Sequence, residues 1–286
     1  MHYSICMQEA VSSSIPLNIV SLFIPVLFYF LGLKSNLTDF KELFFEKKSI
    51  VYGLLIQNIF LPVIGLLMSI IFRDSLFAIA SAIVLIVPGG HVSGLLTHIK
   101  NGNVSLSVFL TSITSILSPF TIVFWLALIS SQFNEYSLDV VSTFSQLTVF
   151  VLLPFIVGIY IKNKFLKFTN LILSPLDKFL KVLIIVVSIW TPIDLSEYVL
   201  ENLSQSLVIA MLSLITIFLI SKFVIHISKV HKENAVALQI EALCQNFPIV
   251  LGISLALDLP EVAVYGVIYY LTSMVIVVSY SFIEKF

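Results

Sequence analysis

Apolar residues in this chain run in blocks of about twenty, separated by short clusters of Lys, Asp, Glu, Ser and Asn. A helix of roughly twenty residues covers the hydrocarbon of a bilayer, so each block predicts a membrane-spanning helix. The blocks fall at about 15–33, 49–72, 75–98, 104–130, 140–161, 179–193, 205–226, 234–257 and 262–283, here called spans A to I. Span F is short, and its start is the least sharply marked. The opening MHYSICMQEAVSSS has no basic run and no convincing small-residue cleavage site, so it reads as a short tail ahead of a retained span.

Two of the blocks are interrupted. Span C carries VPGGHVSG, in which Pro88 removes a backbone donor and Gly89 and Gly90 favour unwinding. Span H carries CQNFP, where Pro248 cannot donate to the carbonyl of Cys244 and biases Phe247 away from helical angles. Each interruption alone is compatible with a simple proline kink. Aligned on the breaks, however, spans A-B-C-D match F-G-H-I, with the break in the third of each four. Span C and span H run in opposite directions, so the halves are inverted, and span E has no counterpart. The pattern suggests a five-plus-five ancestor whose first helix is absent. Inverted repeats with paired broken helices are the architecture of secondary transporters, which bind substrate and coupling ions near the midplane.

Composition agrees: the 286 residues are 59% hydrophobic and 11% charged, with a mean hydropathy of +1.09. This is an all-α polytopic membrane protein forming one transmembrane domain. The net charge of -1 argues against a nucleic-acid partner, and two cysteines make no disulfide framework. Charge placement sets the orientation. With the N-terminus outside and the C-terminus cytoplasmic, every lysine lies on the cytoplasmic side and only Arg73 outside, which puts fourteen of fifteen basic residues inward.

Glu241 lies within span H, whereas the other acidic residues can all be placed in loops or at span ends. A carboxylate at membrane depth costs several kcal/mol on contested scales, of order 3 or more. No Lys or Arg lies in the middle of a span to pair with it, Lys181 and Lys222 standing near span ends, so a bound cation or a proton must compensate. A permanently protonated, structural Glu is the alternative. Gln245 shares its helix face, four residues on, and Gln57 sits in the middle of span B. Free carbonyls near Ala242 and Cys244 would complete an all-oxygen site, which suits hard cations such as Na+. Ser107 and Thr111 are likewise four apart on span D, and Ser93 follows the first break; such hydroxyls also serve as small packing residues between membrane helices. His91 follows the double glycine and could donate to an anion, exchange a proton or be structural. Asn246, before Pro248, is suited to capping a new helix, to binding substrate, or to both.

At these residues the sequence resembles the bile acid:sodium symporter family. The resemblance is carried by VPGGHVSGLLTHIKNGNVSLSVFLTSITSILSP, by EALCQNFPIVLGISLAL, by FLGLKSNLTDFKELF and by QNIFLP, which in order cover most of the chain. It implies ten spans, or nine when the first is missing, arranged as a panel and a core whose two discontinuous helices cross. The panel would comprise about 15–33, 140–161 and 179–193, and the core about 49–72, 75–130, 205–226 and 234–283. It implies one sodium site at Ser93, Ser107, Thr111 and Glu241, and a second at Gln57, Glu241, Gln245 and the carbonyls of Ala242 and Cys244. The family's Asn after Ser93 is Gly94 here. The position of His91 more often carries a small residue such as Thr, which argues against a bile-acid-like substrate.

The expectation is a sodium-coupled symporter of small organic anions, not an enzyme, residing in the plasma (inner) membrane, with His91 and Asn246 toward the substrate. A proton-coupled or uncoupled carrier of the same fold is the alternative. An intramembrane enzyme would need a catalytic set, and the sequence has no paired intramembrane aspartates, no Gly-x-Ser-x-Gly and no His-Glu-x-x-His. A channel or a non-transporting sensor would show unsaturable conductance or binding without flux.

Overall fold

The computed structural model describes residues 2–34, 46–90, 92–130, 145 and 148–283, and among them the chain is helical. Spans A, B, D, G and I appear as α2 (Ile15–Lys34), α3 (Lys47–Ile71), α6 (Val104–Ser130), α10 (Leu203–Ser228) and α13 (Pro260–Ile283). Four of these are long and apolar enough to cross a membrane alone. The fifth, α6, qualifies when its halves Val104–Ser118 and Phe120–Ile129, bent by 62°, count as one span. The residue between the halves is Pro119, and a proline accounts for a sharp bend. Apolar side chains such as Leu219, Phe223 and Val275 remain exposed, as an integral membrane protein facing lipid requires.

The two interrupted spans are each split. Span C becomes α4 (Ala78–Ile86) and α5 (Ser93–Ile99), and span H becomes α11 (Lys232–Leu243) and α12 (Phe247–Ala256). Val87 and Cys244, the residues that end α4 and α11, are both extended. Kinked but continuous helices are thereby excluded.

Three other elements depart from expectation. The N-terminal tail is helical: α1 (His2–Ser13) buries Met7 and Val11 and packs on α13. Its apolar side is broken by Glu9, Ser12 and Ser13, too short and too polar for a span pattern to reveal. Of span E, most of the first eight residues lie outside the described residues. The rest is α7, a π turn at Thr148–Leu152 continuing as Leu153–Lys164. Span F belongs to a longer helix, α8 (Leu166–Asp194), followed by the short α9 (Ser196–Glu201). Its first turns interleave Lys167, Asp177, Lys178 and Lys181 with Leu166, Phe168 and Leu171, which are exposed. That alternation is amphipathic rather than uniformly apolar, so it hid the helix from a search for spans. Asp177 ties it down, with Lys181 at 2.6 Å and Lys34 at the end of α2 at 3.6 Å.

Close packing relies on small residues. α2 and α7 touch where Gly32 faces Gly158: a Cβ on Gly158 would come within 2.9 Å of the Gly32 Cα. Two backbones can approach that closely only without side chains between them.

Candidate functional site: a buried oxygen cluster where two broken helices meet

The two breaks meet. The Gly90 amide donates to the Cys244 carbonyl at 2.8 Å, and the Asn246 amide donates to the Pro88 carbonyl at 2.9 Å. Gly89 and Gln245 thus form an isolated antiparallel bridge, the backbones running in opposite directions. Backbone that has left the helix inside a membrane must find partners in protein or enclosed water; here each break satisfies the other. The glycines are required by proximity. A Cβ on Gly90 would lie 2.5 Å from the Gln245 carbonyl oxygen, and one on Gly89 would collide with the Glu241 carboxylate.

Glu241, 1% exposed, stands in the last turn of α11 before the break. Its Oε1 accepts from the Thr111 hydroxyl at 2.6 Å and its Oε2 from the Ser107 hydroxyl at 2.9 Å. Ser93, at the start of α5, donates to the Gly90 carbonyl or to a neighbour: its Oγ lies 2.7 Å from that oxygen, 3.1 Å from Ser107 Oγ and 3.5 Å from Thr111 Oγ1. The four residues expected to group from the sequence therefore do group. Five contacts share three hydroxyl protons, since a hydroxyl has one proton to give. With Glu241 ionised, lone pairs face lone pairs in at least two of them. Among the described residues the ion pairs are those of Asp177, and Glu241 has none.

A second set of oxygens adjoins the first. Gln57 donates from Nε2 to the Glu241 backbone carbonyl at 2.6 Å, and Gln245 donates from Nε2 to the Ala242 carbonyl at 3.1 Å. The two amides therefore hang from consecutive carbonyls, and both Oε1 atoms are buried without a protein partner. A π turn at Ile56–Phe60 sets Gln57 in place; π turns inside α-helices are often found at functional sites. Pro62, one turn on, leaves the Asn58 carbonyl without its helical donor, and the Trp125 indole supplies one at 3.0 Å.

Asn246 caps α12, accepting from the Ile249 amide at 3.4 Å, while its Nδ2 is buried without a partner. Beside it a narrow crevice is lined by Gly90, Ser188, Gln245, Phe247, Tyr270 and Met274. His91 lies outside the described residues. Gly94 has room beside it, since an added Cβ would make only an ordinary contact with Val108 at 3.5 Å.

Sequence reasoning passed over Thr97, Ser115, Tyr265 and Tyr269, whose hydroxyls are all buried without partners. Thr97 stands four residues after Ser93 and Ser115 four after Thr111, so the same helical spacing would have found both. The tyrosines gave no such signal, because aromatic residues recur along most of the spans.

A donor set made only of oxygens, holding an unpaired carboxylate and two unpartnered amide oxygens, fits a hard monovalent cation rather than a thiolate- or imidazole-seeking metal. Broken helices meeting around such a cluster define the class: a membrane protein of the secondary-transporter kind. The chain belongs to the sodium bile acid symporter family, whose sequence model matches residues 21–207. That match takes in Gln57, Ser93, Ser107 and Thr111 and ends before Glu241. Over 149 residues the chain is 26% identical to a Bacillus subtilis protein named "Uncharacterized sodium-dependent transporter YocS", covering 52% of this chain and 46% of that one. It is 29% identical over 155 residues to a protein of Oryza sativa subsp. japonica named "Probable sodium/metabolite cotransporter BASS1, chloroplastic", covering 53% and 37%. The "P3 protein" of Mus musculus is 26% identical over 178 residues, covering 58% and 37%. The matched part thus spans less than half the length of these relatives.

Proposed function

We propose that this protein is a sodium-coupled secondary transporter of small organic anions that works by alternating access. The observation that carries the reading is the Glu241 carboxylate, buried without an ion pair among hydroxyls that have too few protons for their contacts. One Na+ among Ser93, Ser107, Thr111 and Glu241 would turn converging lone pairs from a cost into ligands. A second would use the free oxygens of Gln57 and Gln245 with the carbonyls of Ala242 and Cys244. The names of the relatives, a sodium-dependent transporter and a sodium/metabolite cotransporter, support the same coupling ion.

The anion would bind at the crevice lined by Gln245 and Phe247, with Asn246, whose Nδ2 has no partner, and His91 toward it. The nine-span arrangement with its panel and core goes with this reading. Spans A, E and F would form the panel, and the others the core that moves against it. Coupling to the membrane potential is energetically adequate, since one charge across 100 mV is worth about 2.3 kcal/mol. The direct test reconstitutes the protein in vesicles and measures uptake of small carboxylates under an inward Na+ gradient or an equal K+ gradient. Saturable uptake in Na+ alone is expected. Uptake driven equally well by a pH gradient without Na+ would replace the ion by a proton.

The orientation has its own test. Glu197 in α9 and Asn163 near the end of α7 are both exposed. In a background with Cys6 replaced by Ser, Glu197→Cys should react with an impermeant thiol reagent added outside cells, and Asn163→Cys should react only after permeabilisation. The reverse pattern would overturn the inverted repeat along with the orientation.

Gly94→Asn tests the first cation position. The new amide has space and stands one residue beyond Ser93. An added neutral ligand is worth about 1 kcal/mol, so the Na+ concentration for half-maximal uptake should fall roughly fivefold, or the Hill coefficient should rise. An unchanged Na+ curve would mean that position 94 contributes nothing to ion binding.

A further inference from the structure

The first turns of α8 carry a face that stays exposed among the described residues. Lys167, Leu171, Ser174 and Lys178 recur three or four residues apart, so they share that face, and all four are exposed. Leu171 is 73% exposed. The helix packs on α2, α7 and α12 with its other side, where Thr169, Leu180 and Val187 are buried. The exposed face continues along the same helix as Val182, Ile185, Ile189 and Ile193, again three or four residues apart and all exposed. Aliphatic side chains left open along a span face acyl chains, so the lysines below them look toward lipid as well. About twenty residues cross the hydrocarbon, and counted back from Asp194 they end near Pro175. Lys178 therefore stands about one turn inside the boundary between chains and headgroups, where its stem can snorkel, and Lys167 about two turns outside it.

The charge on this face is not neutralised by the protein. Residues 162–181 hold five lysines and one acidic residue, Asp177. That carboxylate already takes Lys181 at 2.6 Å and Lys34 at 3.6 Å. Lys167 and Lys178 have neither an ion pair nor a hydrogen bond among the described residues. Lysines clustered beside a span attract anionic headgroups, and here an acyl-facing stripe adjoins them. We propose that this face of α8 is a binding site for an anionic phospholipid. Its phosphate sits between Lys167 and Lys178, and an acyl chain lies along Val182, Ile185 and Ile189. The inference rests on exposure and charge and is independent of the cation reading. It gives a partner to a helix that contributes none of the buried oxygens.

The test follows the melting temperature of the purified full chain in an uncharged detergent while phosphatidylglycerol or phosphatidylcholine of the same chain length is added. The wild type should be stabilised at a lower concentration of phosphatidylglycerol. Replacing both Lys167→Gln and Lys178→Gln should raise the phosphatidylglycerol concentration for half-maximal stabilisation roughly tenfold or more, two attractions to an anionic headgroup being lost. The phosphatidylcholine titration should not move. Lys167→Arg with Lys178→Arg should keep the wild-type response. Lys47 and Lys48 at the start of α3 are also exposed, and Lys47→Gln with Lys48→Gln removes the same charge away from this face. That control should titrate like the wild type. Equal stabilisation of the wild type by the two lipids would overturn the proposal. So would an equal loss in the two Gln doubles, because net charge alone would then set the preference. Glycerol phosphate distinguishes a lipid from a soluble anion: stabilisation by it at the concentrations where phosphatidylglycerol acts would overturn the lipid site. If the Lys167→Gln, Lys178→Gln protein does not fold, Lys178→Gln alone decides, and a wild-type titration overturns the proposal equally. Melting in Na+ against K+ should be the same in all these variants, so a failure here leaves the cation reading as it stands.

Discussion

Glu241→Gln is expected to abolish sodium-driven uptake while leaving the protein folded. The substitution keeps the shape of the side chain and removes its charge. One amide oxygen can still accept from Thr111, and the new amide donor faces Ser107 Oγ, which has lone pairs to receive it. A cation that had shared a full negative charge then meets only neutral oxygens. The loss should be about 3 kcal/mol or more, roughly a hundredfold in Na+ affinity, since even a single hydrogen bond to a charged group contributes about 1.5 to 3. The variant should melt no lower than wild type without Na+, because burying an unpaired carboxylate is itself costly. It should gain no stability when Na+ is added, whereas the wild type should. The decisive measurements are initial uptake against Na+ and melting temperature in Na+ against K+. Near-normal Na+-dependent uptake would sink the ion-site assignment.

Gly90→Ala should come second in size and act by a different route. The added methyl would sit 2.5 Å from the Gln245 carbonyl oxygen, a backbone atom that no side-chain rotation can move. Relieving the overlap means separating the two breaks and stretching the bonds from Gly90 to Cys244 and from Asn246 to Pro88. Overpacking of this kind costs about 1 to 3 kcal/mol, and the Gln245 and Ala242 oxygens shift with the backbone. Uptake should fall at least tenfold and the melting temperature should drop in Na+ and K+ alike. This separates it from Glu241→Gln, whose defect appears only in the response to Na+. Wild-type melting and uptake in Gly90→Ala would show that the breaks do not need their close contact.

The sequence was most informative where the membrane leaves few choices. Blocks of about twenty apolar residues must be helices, because lipid offers no partner to an exposed amide or carbonyl, and spans A, B, D, G and I became helices with bounds near those expected. The breaks at Pro88 and Pro248 were legible for the same reason: proline removes a donor, and a double glycine at membrane depth has no local advantage. Glu241 stood out because it is the one charged residue within span H, and the spacing of Ser107 with Thr111 and of Glu241 with Gln245 placed each pair on one helix face. What depended on contacts between distant segments was not legible. Nothing near Gly89 or Gln245 says that they bridge each other across about 150 residues of chain, nor that Gln57 hangs its amide on the Glu241 carbonyl rather than on the carboxylate. The helical N-terminus and the long amphipathic α8 escaped because mixed polar and apolar faces carry no span signal. The Trp125 indole that serves the carbonyl orphaned by Pro62, and the burial of the Tyr265 and Tyr269 hydroxyls without partners, were decided by tertiary packing alone. A side chain's partner is set by which helices lie side by side, and that arrangement follows from shape and from the pairing of buried polar atoms, neither of which a hydropathy pattern records.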